Sequence, residues 1–275
     1  MADQQPAFTV MPFSRERQVI VDGGRLASKK HTIYGLLAVD VTNPRRYLHD
    51  YRARTGESLS FTAFVIYCLA QAVDFDRSVQ ALRNWRNQLV VFDQVDVNTM
   101  VEIEMDGRKA VMPLFIRAAN KKTLLEIHRS IRSAQSDPQS THGYGIRYFA
   151  LLPQFARDIF YWAVFKQPHW LKTSLGTVGM SSVGMFGNGI GWAIPFGIHT
   201  LDIALGGIAE KPGVVDGKIE IREYLHVTVC FDHDIVDGAP AARFTARFKE
   251  LIEQGCGLEE LEHSPTGISV AAGGK

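Results

Sequence analysis

HVTVCFDHDIVDGAPAARF, residues 226–244, is the stretch of sequence that decides the architecture. The segment that it completes, Lys218 to Phe231, is rich in β-branched and apolar residues and predicts a buried strand. After the strand comes a turn signal at Asp237-Gly238, and an alanine-rich amphipathic pattern then predicts a helix over Gly238–Gln254. A strand therefore carries a histidine to a tight turn, and a helix leads away from that turn.

Similar patterns extend in both directions from this stretch. The spacing predicts a helix that follows an Asn43 cap with Pro44 at its first position, and a second helix capped by Ser60. Asp106-Gly107 joins two predicted strands in a hairpin. Because helices and strands mix without a strict βα repeat, the sequence predicts one α/β domain, a two-layer sandwich with a mixed β-sheet. The other predicted elements are strands at 31–40, 89–92, 95–105, 110–116, 177–183 and 202–209 and a helix at 121–134.

Composition excludes several classes of protein. Among 275 residues, 30 Lys and Arg balance 29 Asp and Glu, so the charge gives no general case for binding nucleic acid or an anionic membrane. The three cysteines are scattered, which argues against a disulfide framework and a cysteine zinc motif and favours a reducing cytoplasm. No secretory pattern opens the sequence, and no linker-like segment interrupts residues 8–262.

The most apolar segment, Phe149 to Phe165, is too short and too polar to span a membrane. It contains Pro153, Arg157 and Asp158 and falls short of the roughly 20 apolar residues that a spanning helix needs. Its pattern favours a core or subunit-interface helix, while an amphipathic helix lying on a membrane stays open.

Three familiar site motifs are not supported. The glycines of residues 184–191 are not followed by Lys-Ser/Thr, so we expect a loop and not a phosphate-binding site. No Gly-x-Ser-x-Gly elbow is present. Asp232-His233-Asp234 and Asp237 could in principle ligate a cation, but neighbouring side chains of an extended chain point to opposite faces, so we expect no metal.

His233 is the leading candidate for chemistry. A histidine at a strand end can be held by its backbone with one ring nitrogen free, which is what a general base requires. From the residues alone, a structural histidine with a capping Asp237 is an equally good interpretation.

Three motifs in order extend this reading to a family. Asp232-His233, Asp237-Gly238, Ala241-Ala242 and Phe244 resemble the C-terminal signature of the dihydrolipoyl acyltransferase catalytic domain of 2-oxoacid dehydrogenase complexes, which has a chloramphenicol acetyltransferase-like fold. Residues 181–187 resemble the serine loop of that family, and residues 111–127 resemble its proline-containing strand, turn and helix. The resemblance covers about residues 10–258, and we expect 1–9 to be disordered and 259–275 to be a flexible tail.

The resemblance implies an acyltransferase that uses coenzyme A. His233 would be the general base for a thiol, Ser181 would donate a hydrogen bond to the oxyanion, and Asp237 would fix the loop by pairing with an arginine. Ser182 is the alternative oxyanion donor. Neither a metal nor a covalently attached lipoyl group is implied, and a lipoyl or other carrier protein would act in trans because little chain remains for further domains.

The resemblance also implies a homotrimer or larger assembly with its active site at the subunit boundary. Trp162, Phe165 and Trp170, from the long segment 148–170, are candidate subunit contacts. Asp234 stands where the family has an arginine, and a carboxylate there would raise the pKa of His233 and weaken it as a base. A catalytically weak scaffold that assembles partners is therefore the alternative function.

Overall fold

The structure, a computed structural model, describes residues 8–105, 108–136, 149–183 and 191–263. The helices are α1 (Arg15–Ala27), α2 (Thr42–Thr55), α3 (Phe61–Phe75), α4 (Leu124–Ser136), α5 (Gln154–Lys166), α6 (Pro168–Leu175), α7 (Gly238–Glu253) and α8 (Glu260–His263). The strands are β1 (Thr32–Asp40), β2 (Leu82–Arg83), β3 (Leu89–Val90), β4 (Val97–Met105), β5 (Arg108–Ile116), β6 (Val178–Ser182), β7 (Leu201–Val215) and β8 (Lys218–Asp232).

Six strands form one mixed sheet in the order β1-β8-β7-β6-β4-β5, and β2 pairs with β3 in a small separate ribbon. The strand β6 runs parallel to both of its neighbours, whereas every other pair in the sheet is antiparallel. The predicted single α/β domain with a mixed sheet is therefore confirmed.

The two faces of the sheet have different chemistry because strand side chains alternate. In β8, Val227, Val229 and Phe231 belong to the main core, and the Phe231 ring meets Phe244 of α7 with centroids 5.8 Å apart. The alternate residues His226 and Thr228 lie on the opposite face, which we call the outer face.

The helix-covered face packs on α3, the most deeply buried helix. Residues 63–70 of α3 are all buried, so this helix is apolar on nearly every side. Its start is fixed as predicted, because the Ser60 hydroxyl accepts a hydrogen bond from the Ala63 amide at 3.3 Å. Burial of α3 anchors the sheet at the centre of the core.

Strand β7 is longer at one end than the sequence indicates, whereas β8 begins at Lys218 as predicted. Beyond the pairing of Asp40 with Tyr224, β8 no longer has β1 as a neighbour, and the two long strands continue as a ribbon to Val215 and Lys218. This ribbon has little apolar periodicity because its faces are not buried in the core, which explains why the pattern predicted an end of β7 at Ala209.

Four other local predictions need correction or lie outside the described residues. Helix α1 was not predicted, and α2 begins at Thr42 with Val41 as its cap, so Asn43 is not the cap. Helix α8 occupies the start of the segment expected to be a flexible tail, and Leu261 is buried there. The hairpin between β4 and β5 is present, although its turn residues 106–107 are outside the described part of the chain.

The apolar segment 149–165 contributes to a surface helix, α5. Phe155, Ile159 and Trp162 are 68%, 64% and 67% exposed on this helix, while Arg157 and Val164 face inward. Of the predicted subunit contacts, Trp170 is also exposed and Phe165 is partly buried against the Leu82 cluster. No helix in the described residues is long and apolar enough to cross a membrane.

Candidate active site

The predicted general base, His233, lies in a tight turn immediately after β8. Its backbone amide donates to the His31 carbonyl at 2.9 Å, while the Asp232 amide donates to the Thr200 carbonyl at 2.9 Å. The amides of Ile235 and Val236 both return to the Asp232 carbonyl at 3.0 Å. The backbone of the turn is therefore fixed on two sides, and the His233 side chain remains exposed to solvent.

An ion pair beneath this turn was missed by the sequence analysis. The ammonium of Lys30 contacts the Asp232 carboxylate at 2.6 Å and the His199 carbonyl at 3.2 Å. The second oxygen of the same carboxylate accepts from the Asp234 amide at 3.2 Å. Lys30 thus joins the segment before β1 to the turn that carries His233, and no local pattern links two residues so far apart in sequence.

Asp234, the departure from the family pattern, is directed toward His31. Its carboxylate lies 2.8 Å from the His31 Nδ1, and this hydrogen bond lowers the pKa of Asp234. The carboxylate that was expected to act on His233 therefore has another partner.

Asp237 does not make the contacts predicted for it. It is the N-cap residue of α7, but its side chain makes no capping hydrogen bond. Within the described residues of one copy, its exposed carboxylate forms no ion pair with an arginine. The backbone contributes instead, because the Asp237 carbonyl accepts from the Ala241 amide at 3.1 Å.

We call residues 232–237 with Lys30 and His31 the histidine half-site. A cleft of about 770 Å³ lies beside it, between α1, α5 and β2. Its walls include the aromatic side chains of Tyr161, Trp162 and Phe165 and, next to the turn, Lys30 and Asp234. A cleft of this size can hold a small organic ligand.

Ser181 lies on β6, in the middle of the sheet. In the strand register, Ser181 pairs with Ala204 of β7, and Ala204 pairs with Thr228 of β8. The three side chains therefore lie on the outer face of the sheet. Ser182 is level with Leu205, a core residue, and so faces the helices. The register therefore favours Ser181 over Ser182 as the accessible hydroxyl, while the glycine-rich residues 184–190 that follow are outside the described chain.

One copy of the chain does not bring Ser181 and His233 together. His233 lies five residues beyond Thr228 and two strands away from Ser181. With about 3.3 Å per residue and about 4.8 Å between strands, their Cα atoms are about 19 Å apart. We call Ser181 with Thr228 and His226 the serine half-site, which is separate from the histidine half-site.

A buried histidine–carboxylate pair supports the floor between the half-sites. His199 Nδ1 contacts the Asp202 carboxylate at 2.7 Å, and His199 Nε2 contacts the Leu175 carbonyl at 3.0 Å. Burial alone would lower the pKa of His199, but the charge and hydrogen bond of Asp202 outweigh burial and raise that pKa. Gly179 is required beside this pair, because a Cβ there would collide with the Asp202 carboxylate.

The carboxylates of the tract 232–237 have separate partners. Asp232 pairs with Lys30 and Asp234 pairs with His31, so neither is directed toward a common point with the other. In the part of the chain that the structure describes, no group of three or more His, Cys, Asp and Glu side chains is arranged to hold a metal ion.

Comparison with known proteins supports the resemblance seen in the motifs. Residues 172–258 match the family model for 2-oxoacid dehydrogenases acyltransferase (catalytic domain). The chain is 26% identical over 208 residues to the dihydrolipoyllysine-residue succinyltransferase component of the 2-oxoglutarate dehydrogenase complex of Rickettsia bellii and 35% identical over 208 residues to that of Rickettsia felis. Each alignment covers 76% of this chain and 44% of the relative, so the chain spans less than half the length of either protein.

The fold has a close counterpart among solved structures. A structure of Azotobacter vinelandii dihydrolipoamide acetyltransferase superposes with a TM-score of 0.70 at 17% identity, covering 94% of this chain and 96% of that one. The sequence match and the fold together confirm the resemblance to the acyltransferase catalytic domain.

Proposed function

We propose that this protein, whose C-terminal third carries the catalytic-domain sequence of 2-oxoacid dehydrogenase acyltransferases, is a coenzyme A-dependent acyltransferase. It moves an acyl group between coenzyme A and a second thiol, such as a dihydrolipoyl group on a separate carrier protein. His233 is the general base, and Ser181 is the oxyanion donor.

The observation that carries this proposal is the spacing of three residues. The Azotobacter vinelandii structure was solved to investigate a serine, a histidine and an asparagine in the catalytic mechanism, and these lie 52 and four residues apart in its sequence. Here His233 follows Ser181 by 52 residues, and Asp237 follows His233 by four. The serine and histidine types agree at these positions, whereas Asp237 replaces the amide with a carboxylate.

The chemistry follows from the properties of a thiol. Because only a few per cent of a thiol is ionised at neutral pH, a base that removes the proton during attack accelerates the reaction. The His233 ring takes the thiol proton while the sulfur forms a bond to the thioester carbonyl carbon. The tetrahedral oxyanion then collapses, the original carbon–sulfur bond breaks, and the departing sulfur takes the proton from His233.

Ser181 stabilises the oxyanion between these two steps. A half-buried hydroxyl on a fixed strand can donate to the developing charge, and one such donor contributes about 3 kcal/mol to transition-state stabilisation. Ser181 is well suited because β6 is hydrogen-bonded on both sides, to β4 and to β7. No metal has a role in these steps.

The distance between the half-sites supports a site shared by two copies. At about 19 Å, Ser181 and His233 of one chain cannot act on the same carbonyl. In a homotrimer, the serine half-site of one copy meets the histidine half-site of the next, as the family resemblance implies. The enzyme would work in the cytoplasm as such a trimer or as a larger assembly of trimers, with acyl-coenzyme A as substrate and the acyl carrier supplied in trans.

A thiol-release assay tests the proposal. Purified wild-type protein is mixed with acyl-coenzyme A and dihydrolipoamide, and the acylated dihydrolipoamide and free coenzyme A are separated by chromatography and quantified, because each turnover consumes one thiol and releases another. His233→Ala is expected to lower kcat by at least 100-fold, since general-base catalysis contributes about 10²–10⁴-fold. His49→Ala, which removes an exposed histidine of α2, is the matched control.

Equal rates for wild type and His233→Ala would refute the proposed chemistry. An ordered trimer that shows no acyl transfer with any thioester would instead favour the scaffold alternative.

A further inference from the structure

The cleft beside the histidine half-site has no role in the chemistry proposed above. It lies between α1, α5 and β2 and has a volume of about 770 Å³. Its wall includes Asp232, Asp234 and Ile235 of the turn, but the His233 ring does not line it. A ligand in this cleft would therefore contact the residues that support the turn and not the proposed general base.

All four carboxylates in the wall of the cleft are paired within the chain. The buried Asp22 contacts Arg157 at 2.6 Å and Arg25 at 2.6 Å. Arg25 also contacts the second carboxylate, that of Asp158, at 3.2 Å. The other two belong to the histidine half-site, where one is paired with a lysine and the other with a histidine. No carboxylate described in this wall is therefore left to attract a cation.

Among the described residues, three cations of the same wall have no such partner. Lys29 follows α1, Arg83 lies in β2, and Lys166 is the last residue of α5. Their charged groups form no ion pair and donate no hydrogen bond within the described part of the chain. Because these charges come from three different elements and line one space, they favour a ligand with more than one negative charge.

An aromatic surface on α5 forms much of the remaining wall. Trp162 and Phe165 are one helical turn apart, and so are Tyr161 and Phe165. The Tyr161 ring contacts the Phe149 ring, with centroids 5.3 Å apart. Burial raises the pKa of Tyr161 to about 12, so its hydroxyl is protonated at neutral pH, and this hydroxyl makes no hydrogen bond within the described residues. The surface therefore offers rings for stacking and one available donor.

We infer that this cleft binds a nucleotide, with the base against the aromatic surface and the phosphates toward Lys29, Arg83 and Lys166. A planar base stacks on aromatic rings, and arginine and lysine are the usual partners of phosphate oxygens. The volume lies within the range of about 300–1,000 Å³ that is typical of small-molecule sites. A simple anion would use the cations without the rings, and an uncharged aromatic compound would use the rings without the cations.

This inference goes beyond the proposed function and does not depend on acyl transfer. The nucleotide is a separate ligand from the coenzyme A that reacts at His233. Because Lys30 and Asp234 both line the cleft, the bound nucleotide would lie beside the two side chains that hold the turn of the proposed general base.

Calorimetric titration of the purified, assembled protein tests the inference, with ADP as the probe. Wild type should bind ADP at least about 10-fold more tightly than adenosine or inorganic phosphate, because each of these makes only part of the contacts. Arg83→Met should weaken ADP binding about 10-fold through the loss of one charged hydrogen bond, and Trp162→Leu should weaken it about 3- to 10-fold through the loss of stacking. Arg86→Met is the matched control, because Arg86 is exposed beside the same β2-β3 ribbon and does not line the cleft.

The absence of ADP binding to wild type would overturn the inference. Equal affinity of wild type and Arg83→Met for ADP would also overturn it, because the cations of the cleft would then not hold the phosphates. The side chains of Arg83 and Trp162 are both exposed, so neither substitution should prevent folding, and urea unfolding of each variant checks this.

The same titration in saturating coenzyme A distinguishes the cleft from the substrate site. An unchanged affinity for ADP would support a separate nucleotide site, whereas complete displacement of ADP by coenzyme A would overturn the inference. His233→Ala should bind ADP as wild type does. Failure of the proposed function and failure of this inference therefore give different results, because the first is measured as acyl transfer and the second as ADP binding.

Discussion

Lys30→Met tests the ion pair that fixes the turn of the proposed general base. Lys30 and Asp232 contact at 2.6 Å, and their side chains are only 18% and 7% exposed. Removal of the ammonium leaves a largely buried carboxylate without its cation, and it also removes the hydrogen bond from Lys30 to the His199 carbonyl. We therefore expect both stability and catalysis to fall.

The magnitude follows from the burial of the pair. Loss of one partner from a buried ion pair costs about 3–5 kcal/mol. Because Lys30 is partly exposed, we expect Lys30→Met to lower the free energy of unfolding by about 3 kcal/mol. At about 2–4 °C per kcal/mol for a large domain, Tm should fall by about 6–12 °C. A small displacement of a reacting group can cost about 100-fold in rate, so kcat should fall by at least about 10-fold.

Urea unfolding and the thiol-release assay measure the two effects. Lys29→Met is the matched control because Lys29 is the adjacent, exposed lysine. Lys30→Arg should recover most of the loss. The double variant Lys30→Met with Asp232→Asn should be more stable than Lys30→Met alone, because no unpaired charge remains.

If Lys30→Met and Lys29→Met have the same free energy of unfolding and the same kcat, the ion pair does not hold the turn. If the double variant is less stable than Lys30→Met by a further full increment, the two side chains act independently.

Three more predictions concern the groups that support the half-sites. Because Asp202 raises the pKa of His199, this pair stabilises the folded protein fully below about pH 6.5, and that stabilisation is lost as the pH rises through the pKa of His199 in the folded state. The urea midpoint of wild type should therefore fall between pH 6 and pH 9, and the midpoint of Asp202→Asn should fall much less. Arg157 contacts the buried Asp22 at 2.6 Å, and Arg25 also contacts that carboxylate at 2.6 Å, so Arg157→Met should cost about 1.5–3 kcal/mol in urea unfolding through the loss of one charged hydrogen bond, and a loss below about 0.5 kcal/mol would contradict this account of α5. Burial raises the pKa of Cys230 to about 12, so at pH 8 its thiol should react with iodoacetamide much more slowly in the folded protein than in urea, and similar rates would contradict its burial.

The sequence was most informative where a pattern is local. The β-branched and apolar residues of β8, the Asp237-Gly238 turn and the alanine-rich amphipathic pattern predicted the strand, the turn and α7, and all three are present. Helix α1 was missed because Gly23 and Gly24 interrupt its pattern, and its buried contact is made by Asp22 with Arg157, 135 residues away. Such a contact has no local signature.

The candidate site shows the same limit. The motifs identified His233 and Ser181, but their sequence spacing does not show that they lie about 19 Å apart in one chain, since this distance depends on strand order and register. The Lys30–Asp232 pair joins residues on different segments and was likewise not predictable from spacing. Asp237 was assigned an arginine partner by resemblance, and in one copy of the chain its carboxylate is exposed and has no arginine partner among the described residues.

Complementation between two inactive variants tests the central claim, an active site built from Ser181 of one copy and His233 of another. Ser181→Ala and His233→Ala are unfolded together, mixed in equal amounts and refolded, and the thiol-release rate is measured after gel filtration. In a cyclic trimer, about one interface in four then joins an intact serine half-site to an intact histidine half-site, so the mixture should recover about a quarter of the wild-type rate. A mixture that assembles normally but is no more active than the two variants alone would contradict the shared site.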